Sequence, residues 1–149
     1  MNYLALRERP TQFLALTSLL PAEFDDLLTD FTPRWERYHR YHTLDGDRRR
    51  IPAHRERANA TIAGTDTKLF FLLTYLKTNS LQQHQAASFG VSQTRVSRLA
   101  GPLLDVLNQT LAAHPDWVFT CDGVERGIPR NVDRAAQEEE YSAKKKSTP

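Results

Sequence analysis

Apolar residues recur at helical spacing along most of the chain, and the breaks in that pattern divide it into elements. Tyr3 to Leu20 is apolar with short polar interruptions and predicts one short helix after Pro10. Pro21 suits the first position of a second helix, with Glu23, Asp25 and Asp26 in the turn where the helix dipole favours carboxylates. Phe24, Leu27, Leu28 and Phe31 follow as a stripe, which Pro33 is expected to break or kink before a further piece through Trp35, Tyr38 and Tyr41. Thr65 or Asp66 is placed to cap the next helix, whose Leu69, Phe70, Leu72, Leu73 and Leu76 make a broad apolar face. After Leu99, Gly101-Pro102 is expected to end or kink a helix, and Leu103, Leu104, Val106, Leu107 and Leu111 begin another. At His114-Pro115-Asp116 the pattern changes. Trp117 to Cys121 is a run of β-favouring residues ending at Asp122-Gly123, and Val124 to Ile128 predicts a partner strand.

Ser80 to Leu99 organises the rest. Gln82 to Ser88 reads as the first helix of a helix-turn-helix, Phe89-Gly90-Val91 as its turn, and Gln93 onward as the recognition helix. Ser80 and Gln83 have the spacing of a capping box, and Ser92 is placed to cap the second helix. Ala86 falls where the helix axes must approach, and Gly90 where the turn requires positive φ. Val91, Val96 and Leu99 are spaced to face inward. That leaves Gln93, Thr94, Arg95, Ser97 and Arg98 outward, residue types that reach base edges and phosphate oxygens. The bland alternative is a helical hairpin with a solvated face. The agreement of small residue, glycine and inward positions favours double-stranded DNA as the partner.

Charge adds a second feature. The net charge of +2 is small, so affinity for DNA must come from where the charge sits. Between Arg34 and Arg57 stand eight arginines against Glu36, Asp45, Asp47 and Glu56. Asp45-Gly46 signals a turn, Arg48-Arg49-Arg50 follows it, and Ile51-Pro52 argues against helix. A loop or small hairpin suits phosphate contacts or a minor-groove arm. His39, His42 and His54 match no metal-ligand spacing, and the acidic residues after Pro21 read as a solvated helix start. One cysteine, Cys121, excludes an internal disulfide and fits a reducing cytoplasm. The charged Arg7-Glu8-Arg9-Pro10 stretch excludes a signal peptide there, and no apolar run is long enough to span a bilayer.

Two stretches carry a family resemblance. Leu76-Lys77-Thr78-Asn79-Ser80-Leu81-Gln82, then Ala86 and Phe89-Gly90-Val91-Ser92-Gln93, resembles the helix-turn-helix of bacterial insertion-sequence transposases of the DDE superfamily. Asp122 through Arg130, then Gln137 and Tyr141-Ser142-Ala143-Lys144-Lys145-Lys146, resembles the start of that family's RNase H-like nuclease domain. The resemblance implies that Asp122 corresponds to the first of three metal-binding carboxylates. It also implies Mg²⁺ as the cofactor of a full-length relative, since several carboxylates must hold the ions that drive strand cleavage and transfer. The sequence departs from the family at Ala143, where glycine is usual, and at Ser147-Thr148-Pro149, where a His-Thr-x-Lys strand is expected.

The resulting expectation is a mainly α chain in three parts. Residues 1–64 form a helical region with a basic loop, residues 65–113 the helix-turn-helix domain, and residues 114–149 a truncated strand-hairpin start of the α/β nuclease domain, poorly ordered for want of partner strands. Its expected function is sequence-specific binding of transposon terminal repeats, with a homo-oligomer possible. The isolated chain is expected not to be an enzyme and to need no cofactor. The abrupt loss of resemblance after three lysines suggests a change of reading frame at an A-rich run. The alternative, a small helix-turn-helix transcriptional regulator, calls for a complete effector or dimerisation domain after Leu111.

Overall fold

The structure is a computed structural model, and it describes residues 1–54 and 60–117. Among the described residues the secondary structure is helical: α1 (Tyr3–Arg7), α2 (Pro10–Thr17), α3 (Pro21–Tyr41), α4 (Thr65–Thr78), α5 (Gln82–Phe89) and α6 (Gln93–Ala112). Met1–Trp117 forms one compact unit in which the N-terminal helices and the helix-turn-helix share a core. The strand and hairpin expected after Trp117, with Asp122 and the lysine run, lie outside the described residues.

α4 is the centre. Lys68, Leu69, Phe70, Phe71, Leu72 and Thr74 are all buried, so the helix is enclosed on nearly every side rather than along one stripe. Phe70 meets Phe13 of α2 in a stacked pair at 5.7 Å, and Phe71 meets Phe89 of α5 edge-on at 5.0 Å. Tyr3, Phe13 and Phe24 close the other end of this aromatic layer. Offset and edge-on pairs of this kind add to the stabilisation that area burial supplies. Lys68 reaches back along its own helix, donating from Nζ to the carbonyls of Ile62 and Gly64 at 3.0 and 3.3 Å. A buried ammonium with such partners fixes the loop that enters α4.

Two helix ends differ from the sequence expectation. α4 is preceded by Gly64 in a positive-φ conformation, not capped by Thr65 or Asp66; Asp66 Oδ1 instead accepts from the Thr67 amide at 2.7 Å. The Ser80–Gln83 capping box does not form, because Leu81 holds the N-cap position. Ser80 turns to Gln85, whose buried amide needs a donor as well as an acceptor.

Neither proline ends its helix. α3 runs unbroken through Pro33, and α6 through Gly101-Pro102, so the recognition helix and the apolar segment after it are one 20-residue helix. Proline costs a helix interior roughly 3 kcal/mol through one lost hydrogen bond and a clash with the preceding turn. Buried side chains on either side outweigh this: Phe31 and Trp35 in α3, Leu99 and Leu103 in α6. The N-terminal segment also holds one helix more than expected, since α1 precedes Pro10. Asn2 caps it, and Arg7 ties it to α3 through Asp25 at 2.6 Å.

The C-terminus of α3 shows how the basic segment folds. A helix leaves its last four carbonyls without intrahelical partners. Here Ala53 N–H donates to Arg40 O, Arg49 N–H to Tyr41 O, and Arg49 Nε to both His39 O and His42 O. The chain therefore turns back at Thr43–Asp47, with Gly46 at φ +88° and an antiparallel bridge between His42 and Arg48. The basic segment between residues 42 and 53 is a hairpin anchored on α3.

Candidate nucleic-acid interface

α4, α5 and α6 form the trihelical helix-turn-helix, and its local chemistry explains the geometry. α5 ends in a Schellman arrangement: Gly90 N–H donates to Ala87 O at 3.4 Å and Val91 N–H to Ala86 O at 3.0 Å. Gly90 has φ +65°, a region glycine enters at no steric cost. Ala86 is buried where α5 packs on α6. Ser92 then caps α6, its Oγ accepting from the Arg95 amide at 3.2 Å. The turn at Gly90, the small residue at Ala86 and the cap at Ser92 match the sequence reading.

Gln85 is a residue that reading missed. It is buried, donates from Nε2 to Phe71 O at 3.0 Å and accepts from Ser80 Oγ at 3.3 Å, so it bridges α5 to α4. A glutamine inside a polar run carries no periodic signal that marks it as buried.

α6 divides its two faces cleanly. Val96 and Leu99 are fully buried, and Val91 is half-buried against the core. Ser92, Gln93, Thr94, Ser97 and Arg98 are exposed on the first turns of the helix. Arg95 is half-buried and lines a recess of about 530 Å³ with Ala60, Thr61, Ile62, Gly90, Val91 and Ser92. Arg95 thus stands beside the turn, while Gln93, Thr94, Ser97 and Arg98 present an open polar face.

The hairpin reaches this face. Arg98 donates from Nε to Asp45 Oδ1 at 2.9 Å and from Nη2 to Oδ2 at 2.5 Å, a bidentate pair across 53 positions of sequence. The hydrogen bonds from Arg98 hold the Asp45 carboxyl below the usual carboxylate range, and those same bonds raise the guanidinium. Of the three consecutive arginines, Arg48 and Arg50 are exposed, whereas Arg49 is half-buried and engaged with the end of α3. The run is therefore two outward cations and one structural one, carried on a folded element rather than a loose arm. Asp122 lies outside the described residues.

Among the described residues, no group of three or more His, Cys, Asp or Glu is arranged to hold a metal, and no helix is long and apolar enough to cross a membrane. The carboxylates after Pro21 have other partners: Glu23 accepts from the Leu20 amide at 2.7 Å, and Asp25 binds Arg7.

Residues 65–113 match the family described as the helix-turn-helix of DDE superfamily endonuclease. This segment is similar to a transposase-type helix-turn-helix. The matched span begins at the first residue of α4 and ends one residue past α6, so it coincides with the trihelical unit. No curated protein and no solved structure matches the chain. The match covers 49 of the 149 residues and extends to none of the helices before α4. Within the transposase-type unit, the exposed polar residues sit on the helix that such motifs place against the major groove.

Proposed function

We propose that the chain binds the terminal repeats of a transposable element sequence-specifically, as the DNA-binding portion of a DDE transposase. The observation that carries this reading is the face of α6 formed by Gln93, Thr94, Ser97 and Arg98, exposed on a helix whose opposite side is locked into the core by Val96 and Leu99. Recognition helices work this way: the buried side fixes register, and side chains of the first turns meet base edges. The exposed Arg48 and Arg50 add phosphate contacts from the hairpin that touches α6. Phosphate contacts position a protein without reading sequence, so the two elements divide the task. The transposase-family match favours this reading over a stand-alone transcriptional regulator.

Asp122 is the residue that the family resemblance assigns to a three-carboxylate Mg²⁺ site, and on this reading strand cleavage and joining need further carboxylates beside it. The soluble complex with DNA is the expected active species. Binding titrations on the element's terminal repeats against a scrambled duplex test the proposal. Tighter binding to the repeats is expected, with equal affinity for both refuting specific recognition. Neutralising Arg48 and Arg50 together should weaken binding to both duplexes alike. It should also flatten the salt dependence by about 0.9 in log–log slope per lost phosphate contact.

A further inference from the structure

The Asp45–Arg98 pair joins two elements that the DNA-binding reading assigns to different tasks, and on that reading it has a specific consequence. An arginine carries five N–H donors on a planar fork. Asp45 takes the Nε–H and one hydrogen of Nη2, and both of its oxygens are used in doing so. Three donors remain, and two of them lie side by side along the terminal Nη1–Nη2 edge. Guanine presents O6 and N7 as adjacent acceptors in the major groove, and a guanidinium fork spanning both is the commonest specific contact between protein and DNA. We propose that Asp45 is a positioning residue for base reading, holding Arg98 by its Nε side so that the terminal edge is free to fork onto a guanine of the bound duplex.

Three further observations support this. The turn that carries the carboxylate is held in place: Thr43 N–H donates to Asp47 O at 2.8 Å, Thr43 Oγ1 accepts from the Asp45 amide at 3.3 Å, and Arg49 fastens the hairpin to the end of α3. α3 in turn packs on α6, so the restraint on Arg98 closes through the core. Both side chains remain about half exposed, 50% for Arg98 and 53% for Asp45, which leaves the free edge open to a duplex. Pairing also offsets the charge of Arg98. A neutralised guanidinium loses much of its pull on phosphates anywhere along the backbone, while its directed hydrogen bonds survive. Arg98 then contributes discrimination between sequences rather than affinity for all of them.

The test is selection from a randomised duplex library by the unmodified chain, Asp45→Asn, Arg98→Ala and Arg98→Lys, with thermal melting of each. Arg98→Ala should flatten the preference at one base pair, by about tenfold. Asp45→Asn should flatten the same base pair while leaving the other positions and the melting temperature in place. Its affinity for a scrambled duplex should hold or rise. Arg98→Lys keeps the charge but has no fork, and it should behave like Arg98→Ala. Three results would overturn the proposal. Asp45→Asn could recover the unmodified preference. It could gain affinity for every sequence without flattening any position, which would make Asp45 only a mask over a phosphate-binding cation. Arg98→Lys could read sequence as arginine does. Recovery of no preferred sequence by the unmodified chain would remove the DNA-reading proposal itself, and this one with it.

Discussion

The two halves of α6 share a helix and little else. From Gln93 to Arg98 the side chains are mostly exposed and polar, with Val96 turned to the core. From Pro102 to Thr110, Pro102, Leu103, Val106, Leu107 and Thr110 are buried, on a helix that packs against α3, α4 and α5. The second half adds to the anchorage of the first. Val96 and Leu99 set the register of the reading face locally, and the apolar half further along the same rod extends that anchorage. At 1.5 Å per residue the 20 residues span about 30 Å, and the helix is continuous through Pro102.

The comparison breaks most readily at Leu103. It is fully buried in the anchoring half, and Leu103→Ala should cost about 2–5 kcal/mol of stability, read from urea or thermal unfolding. DNA binding should fall only as far as the folded fraction falls. A cost below 1 kcal/mol would mean that α6 is not anchored there.

Arg95→Ala probes the other half. Stability should change by no more than about 0.5 kcal/mol, as for most substitutions away from core, cap and ion-pair features. Discrimination between repeat and scrambled duplex should fall by about 1–3 kcal/mol if its fork meets a guanine. Destabilisation as large as that of Leu103→Ala would show that Arg95 belongs to the packing around its recess instead.

What the sequence disclosed follows the range of each interaction. The turn at Gly90, the cap at Ser92 and the inward Val96 and Leu99 rest on neighbours within a few residues, and all were legible. Pro33 and Pro102 do not end their helices because a local rule met a tertiary one. The proline penalty is fixed, while the burial of Phe31, Trp35, Leu99 and Leu103 depends on helices elsewhere in the chain. Gln85 was invisible because its partner, Phe71 O, is a backbone atom 14 positions away. Asp45 was read only as a turn residue, since nothing local ties it to an arginine 53 positions on. Arg49 looked like its two neighbours, and its capping of α3 depends on where the hairpin returns.

The smallest expected effect falls at the junction of the two halves, and it tests where one ends and the other begins. Gly101 is exposed in the middle of α6, and a Cβ built there meets nothing within 4 Å. Alanine at such a site restricts the unfolded chain more than glycine does, while its Cβ crowds the Pro102 ring that follows it in the helix. The two effects oppose each other, so Gly101→Ala should change stability by no more than about 1 kcal/mol, measured as a shift in the unfolding midpoint. The same methyl lies one turn beyond Ser97 and Arg98, on the side where residues three and four apart are neighbours. The exposed polar set stops at Arg98, and recognition helices meet base edges with their N-terminal residues, so affinity for the repeat duplex should not change. A folded variant that binds the repeats less tightly would place DNA against Gly101. The reading half would then extend a full turn into the part of α6 assigned here to anchoring, and Pro102 would stand at the edge of the interface rather than behind it.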